Sequence, residues 1–201
     1  MKRLLLATGC AVVAGAATTG AYVGLVTGRL TLDLGVGRRT RLLGPRHLDI
    51  AASREIVYAV AAAPYAEQPT RTMREKVEIL ERAGQMVLAA HRTPVGSGLT
   101  AVTVETVTLD PPNRMGFRLL RGPVPHVIET FTFSETTDGT RLTYTGELGT
   151  DLWLLGQAWG RLVARSWVQA VWDSLASIKT ESERRAAAHM RPQDTQRFPT
   201  A

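Results

Sequence analysis

Glu129 stands in the middle of the alternating run Val127-Ile128-Glu129-Thr130-Phe131-Thr132-Phe133, so it shares a face with the aromatic residues of its own strand. A carboxyl group on an apolar face, joined by a phenol and an imidazole, can polarise a carbonyl or move a proton. Tyr144 and His91 are the residues able to join it. Tyr144 lies in the run after the Asp138-Gly139 turn, and His91 shares parity with Val87 and Ala89. The remaining inventory is thin. His47, His91, His126 and His189 are scattered, without the i, i+4 or cysteine-spaced pattern of a zinc site. Cys10 falls in an apolar N-terminal run, a poor place for a nucleophile. Glu105 stands mid-strand, but both faces of 99–109 are partly apolar and its direction is open. No metal, no cofactor and no assignable catalytic residue are expected. Glu129, Tyr144 and His91 also have a plain structural reading as satisfied polar groups at a pocket edge, with Glu129 paired to an arginine such as Arg121.

The elements that position these residues are legible. Asp-Gly between alternating runs signals a hairpin, because the turn needs positive φ. With Asp138 and Gly139 as its loop, Phe133 faces Tyr144, Phe131 faces Gly146 and Glu129 faces Leu148. Val127, Phe131, Phe133, Leu142, Tyr144 and Leu148 then mark the buried face, and Glu129 falls on it too. Behind the hairpin, Leu155, Trp159, Leu162, Val163, Trp167, Val171, Leu175 and Ile178 form one helical stripe, with Asp151 as N-cap and an end near Ala188. All four tryptophans fall in this segment. Residues at such spacing are core by default, and a cavity wall is built of the same residue types.

Upstream, His47–Ile50 reads as a first strand, and Ser53 caps a helix reaching about Ala63. Residues 75–81, 86–93, 99–109 and 115–121 read as successive strands, separated by turn-forming segments such as Ala83-Gly84 and Asp110-Pro111-Pro112-Asn113. Strand, helix, several strands and one long helix make an α+β domain over 45–190, with no internal repeat or linker.

Four segments carry a resemblance: Ile50–Tyr58 at the first strand-to-helix step, Asp110–Arg114 before a strand, Thr140–Tyr144 after the turn, and Ser174–Lys179 late in the last helix. Over 45–188 the chain resembles the START-like, Bet v 1-like helix-grip superfamily (SRPBCC), in particular bacterial polyketide cyclase/dehydrase-like and lipid-transport-like members. The resemblance implies a curved antiparallel sheet of about seven strands wrapped around the long C-terminal helix. It also implies a pocket between them for a lipid-, quinone- or polyketide-like molecule. His91, Phe117, Glu129, Phe131, Phe133, Tyr144, Trp159, Val163 and Trp167 are the residues expected to line that pocket. A second small helix should follow the first, but 64–72 is short for it, leaving a loop or a wider mouth. No catalytic motif transfers residue by residue.

The N-terminus adds a separate feature. Leu4–Val26 carries no charge, and as a helix it reaches about 34 Å, enough for a bilayer core of about 30 Å. A transmembrane anchor over 1–28 is expected, because Ala21–Val26 stays apolar beyond the small-residue site of a cleaved signal peptide. A lipoprotein signal at Gly9-Cys10 is the weaker rival. Residues 29–44 then form a basic linker, and 191–201 a disordered tail. Lys2, Arg3 and the arginines after the anchor flank both sides, with a lean toward a cytoplasmic domain. Gly20, Gly24 and Gly28 share one helix face, which would allow a homodimer through the anchor.

The formal net charge is +6, yet no basic stripe interleaved with exposed aromatics is present, so nucleic acid is not an expected partner. Arg38, Arg39, Arg41 and Arg46 could meet anionic headgroups. The reading is therefore a membrane-anchored binder of a hydrophobic small molecule. A cyclase or dehydratase using Glu129 and a histidine, and a protein-interaction module, are the alternatives.

Overall fold

Alternation of apolar and polar residues becomes one antiparallel sheet in the computed structural model, which describes residues 19–96 and 98–190. The strands are β1 (Arg39–Leu42), β2 (Arg46–Ile50), β3 (Val77–Ala83), β4 (Met86–Gly96), β5 (Leu99–Asp110), β6 (Arg114–Arg121), β7 (His126–Thr136) and β8 (Gly139–Thr150). The helices are α1 (Arg54–Ala62), α2 (Arg71–Lys76) and α3 (Trp153–Met190), with a 3-10 turn at Ala63–Tyr65. The sheet runs β1-β8-β7-β6-β5-β4-β3, and β2 joins the same edge of β8 that β1 occupies further along. Helix α3 packs mainly on α1, β8, β2 and β1, which is the helix-grip arrangement.

The sheet has eight strands rather than seven, because Arg39–Leu42 pairs with Glu147–Thr150. The stretch expected as a linker thus contributes a strand. The second small helix, for which 64–72 looked short, is present as α2, capped by Thr70, whose Oγ1 accepts from the Met73 amide. Ser53 caps α1 as expected, through the Ile56 amide.

The hairpin register differs from expectation by a regular shift. Phe131 stands opposite Tyr144, Phe133 opposite Leu142 and Glu129 opposite Gly146, and the loop is Thr137-Asp138. Each partner moves by two residues, so every side chain keeps its face. Gly139 is needed for a different reason than the turn. Its φ is +145°, and a Cβ there would lie 2.2 Å from the Ile50 carbonyl oxygen, where the β2–α1 connection crosses the hairpin.

Asp151 does not cap α3. Its carboxylate accepts from the amides of Leu34 and Gly35 at 2.7 and 2.8 Å and from Arg38 Nε at 2.7 Å. Leu152 and Trp153, both at positive φ, donate their amides to the Val36 and Gly37 carbonyls. The start of α3 is therefore held by residues 34–38.

That hold belongs to a longer strap. Residues 19–26 are helical, and the chain then lies along the end of the sheet. Tyr22 packs edge-on against Trp159, the Val102 amide donates to the Thr27 carbonyl, and Thr31 Oγ1 donates to the Gly122 carbonyl at 2.6 Å. Gly28 lies so close to β5 that a Cβ would meet the Val102 carbonyl oxygen at 2.3 Å. Gly24 and Gly28, expected on an intermolecular helix face, are turned toward Leu30 and β5 of their own chain. Most of the expected anchor, residues 1–18, and the expected tail, 191–201, lie outside the described residues. Among the described residues, no helix is long and apolar enough to cross a membrane.

Candidate ligand-binding site

The inner face of the sheet gathers two polar clusters. The first is built on Glu129 of β7. Tyr144 Oη on β8 donates to Glu129 Oε1 at 2.6 Å, and Trp167 Nε1 on α3 donates to the same oxygen at 2.8 Å. Both donors converge on Oε1, and Oε2 has no hydrogen-bond partner among the described residues. Burial pushes the Glu129 carboxyl up to about 7, and the Glu105 charge adds to the rise. The two donors hold it down against those effects.

The second cluster spans β4, β5 and the 3-10 turn. His91 Nε2 lies 2.9 Å from Tyr65 Oη, and Nδ1 lies 3.3 Å from Glu105 Oε2. The second approach is off-line for a hydrogen bond, so Nδ1 is buried with only electrostatic company. Thr103 Oγ1 donates to the other Glu105 oxygen at 2.7 Å. Burial pushes the Glu105 carboxyl up, but His91 and Thr103 outweigh it, and the balance falls below the ordinary value. Two buried carboxyl groups on one inner face are thus driven apart. Glu105 is the ionised one, and Glu129 is the one that keeps a proton toward neutral pH.

Aromatic rings connect the clusters. Tyr65 and Phe117, Phe117 and Phe131, and Phe131 and Tyr144 have centroids 6.2, 5.3 and 5.6 Å apart. Phe117, Phe131 and Trp167 stay only partly buried although they face inward. The main packing of α3 lies over β8, β2 and β1 rather than over the inner face of β4–β6.

Of the residues expected to line a pocket, His91, Phe117, Glu129, Phe131, Tyr144 and Trp167 fall within this connected system. Phe133 turns instead to the Tyr58 ring, and Val163 is core. Trp159 sits at the sheet end, where its Nε1 donates to the Pro123 carbonyl. Arg121 is exposed on β6 and is not a partner of Glu129. His126 bonds Glu147 at 2.9 Å, in strand register with the face opposite Glu129. Three members of the second cluster, Glu105, Tyr65 and Thr103, are not expected from the sequence. Glu105, whose direction is open there, becomes readable once Ala89 is known to stand opposite it in the β4–β5 register, since directly paired residues share a face. Tyr65 lies in a short turn after Pro64 and carries no periodic signal at all.

Two geometric facts limit the chemistry. No group of His, Cys, Asp and Glu among the described residues could hold a metal ion. A groove of about 680 Å³ lies elsewhere, between the β1–β2 connection and α3, and none of the expected pocket residues lines it.

Residues 46–183 match the family model described as polyketide cyclase / dehydrase and lipid transport. The chain belongs to this polyketide cyclase/dehydrase family. Solved structures agree on the fold. The Zhui aromatase/cyclase from a Streptomyces species superposes with a TM-score of 0.63 at 21% identity, covering 76% of this chain and 99% of that one. Norcoclaurine synthase from Thalictrum flavum gives 0.56 at 14% identity, covering 77% and 91%. The di-domain aromatase/cyclase StfQ of the steffimycin pathway gives 0.55 at 17% identity, covering 75% of this chain and 52% of its own. No curated protein matches the chain.

Proposed function

We propose that this polyketide cyclase/dehydrase family member binds a hydrophobic small molecule, lipid-, quinone- or polyketide-like, between the inner face of the sheet and α3. Glu129 carries the reading. Its Oε1 is saturated by Tyr144 and Trp167 while Oε2 has no partner among the described residues, and its carboxyl titrates at about 7. A carboxylic acid so placed donates a hydrogen bond to a ligand carbonyl, and the rings of Phe117 and Phe131 supply the apolar contact. His91, Tyr65 and Glu105 form the second polar pole.

The same geometry supports a catalytic alternative. A carboxyl near neutrality and a separate His91–Glu105 pair are the acid and base that a cyclisation or dehydration needs. Aromatase/cyclases among the structural neighbours make this the second reading.

The tether belongs to the proposal too. Leu30, Leu32, Leu34, Trp153, Leu154 and Leu155 are exposed at or beside the strap that continues from the N-terminal apolar run. That end of the domain would meet the bilayer, with the domain on the cytoplasmic side. Cell fractionation and protease accessibility check both statements.

Native mass spectrometry of the full chain, purified from membrane-containing lysate, tests ligand binding. A discrete added mass, recovered by organic extraction, is expected. An apo mass that lipid and quinone extracts leave unchanged would overturn the reading and move the search to protein partners.

A further inference from the structure

We propose that the groove between the β1–β2 connection and α3 is a binding site for a phosphate group. Arg41 and Arg46 stand on one wall and Arg161 and Arg165 on the other, around a space of about 680 Å³. No carboxylate lines it. None of these four arginines has an acidic partner among the described residues, and all four line one groove.

Four unneutralised guanidinium groups around one groove repel one another, and Arg161 and Arg165 are an i, i+4 like-charge pair on a helix. A bound anion would offset that repulsion. Arg46 is oriented by the Trp172 ring, with its guanidinium carbon 5.5 Å from the centroid. Guanidinium forks match the oxygens of a phosphate, which accepts several at once. The floor is apolar: Leu43 and Ala164 are buried beneath the charges and Val168 lies beside them. A phosphate ester with an apolar substituent satisfies both parts, whether it comes from a lipid headgroup or from a soluble ester. This site is separate from the Glu129 interior and does not rest on the cavity reading.

The test uses the full chain, the double variant Arg161→Gln/Arg165→Gln, and a control, Arg71→Gln/Arg74→Gln, that removes the same charge from α2. All four substituted side chains are exposed. Two probes separate the sources: inorganic pyrophosphate by titration calorimetry, and flotation with phosphatidylglycerol/phosphatidylcholine vesicles against phosphatidylcholine alone. The groove variant should bind about thirty-fold more weakly than the wild type and the control, the effect of removing two cations that face an anionic group. Weakening confined to anionic vesicles assigns a lipid headgroup; weakening confined to pyrophosphate assigns a soluble ester. Binding to neutral vesicles reports the tether alone, so failure of the tether leaves this outcome readable. Absence of anion-dependent binding in both arms, or an equal weakening in the control, would overturn the proposal and leave a solvated basic surface.

Discussion

Trp167 Nε1 and Glu129 Oε1 lie 2.8 Å apart, a hydrogen bond that ties helix α3 to strand β7 on the inner face of the sheet. Because Tyr144 donates to the same oxygen, the helix, the hairpin and the acid act as one unit. The consequences can be measured separately.

Glu129→Gln keeps an oxygen that accepts both bonds and removes the titration. A carboxyl raised from 4.5 to about 7 holds its proton longer in the folded than in the unfolded protein. It therefore costs stability as pH rises from about 4.5 through about 7, and the cost is complete above that. The variant should gain on the order of 3 kcal/mol over the wild type at alkaline pH and almost nothing near pH 4. Urea denaturation across that range checks it. If the protein is an enzyme, the same variant loses turnover; if it is a carrier, only affinity changes.

Trp167→Phe removes one donor from the carboxylate. The Glu129 carboxyl should titrate still higher, and the fold should lose about 1–3 kcal/mol. Carboxyl carbon chemical shifts against pH give the first quantity, and thermal unfolding the second. An unchanged titration would show that the indole bond does not bear on the acid.

Gly139→Ala should destabilise the domain by at least about 2 kcal/mol. The added methyl would lie 2.2 Å from the Ile50 carbonyl oxygen, at a φ of +145° that side chains rarely adopt. The clash is with backbone, so no rotamer change relieves it. Chemical denaturation reads the loss directly.

Asp151→Asn should release the strap before it affects the sheet. Arg38 and two amides hold the Asp151 carboxyl at about 2, led by the arginine bond. A depressed acid stabilises the fold above its unfolded pKa, so this lock is intact at neutral pH and is lost as pH falls from about 4 through about 2. In the variant, the Leu34 and Gly35 amides should exchange with solvent faster at neutral pH, while the core amides of β7 and β8 hold. Uniform protection in both forms would mean that the strap is held by Tyr22 and Thr31 instead.

Period and turn chemistry alone determined much of this protein. Alternation from Val127 to Leu148 placed Glu129, Phe131 and Tyr144 on one face, and that face survived a register shift because the shift was an even number of residues. Helical spacing put Trp167 on the buried side of α3, and Ser53 marked the start of α1. Long-range pairing decided the rest. Asp151 reads as a cap from its neighbours, yet residues more than a hundred positions upstream supply its partners. Leu155 and Leu162 fit the apolar stripe and remain exposed, because the stripe is wider than the surface α3 covers. Arg39–Leu42 has no alternation to announce a strand; it becomes one because β8 offers a free edge. Glu105 and His91 meet only through the β4–β5 register. Local sequence sets which way a side chain points along its own element, whereas its partner depends on how distant elements are brought together.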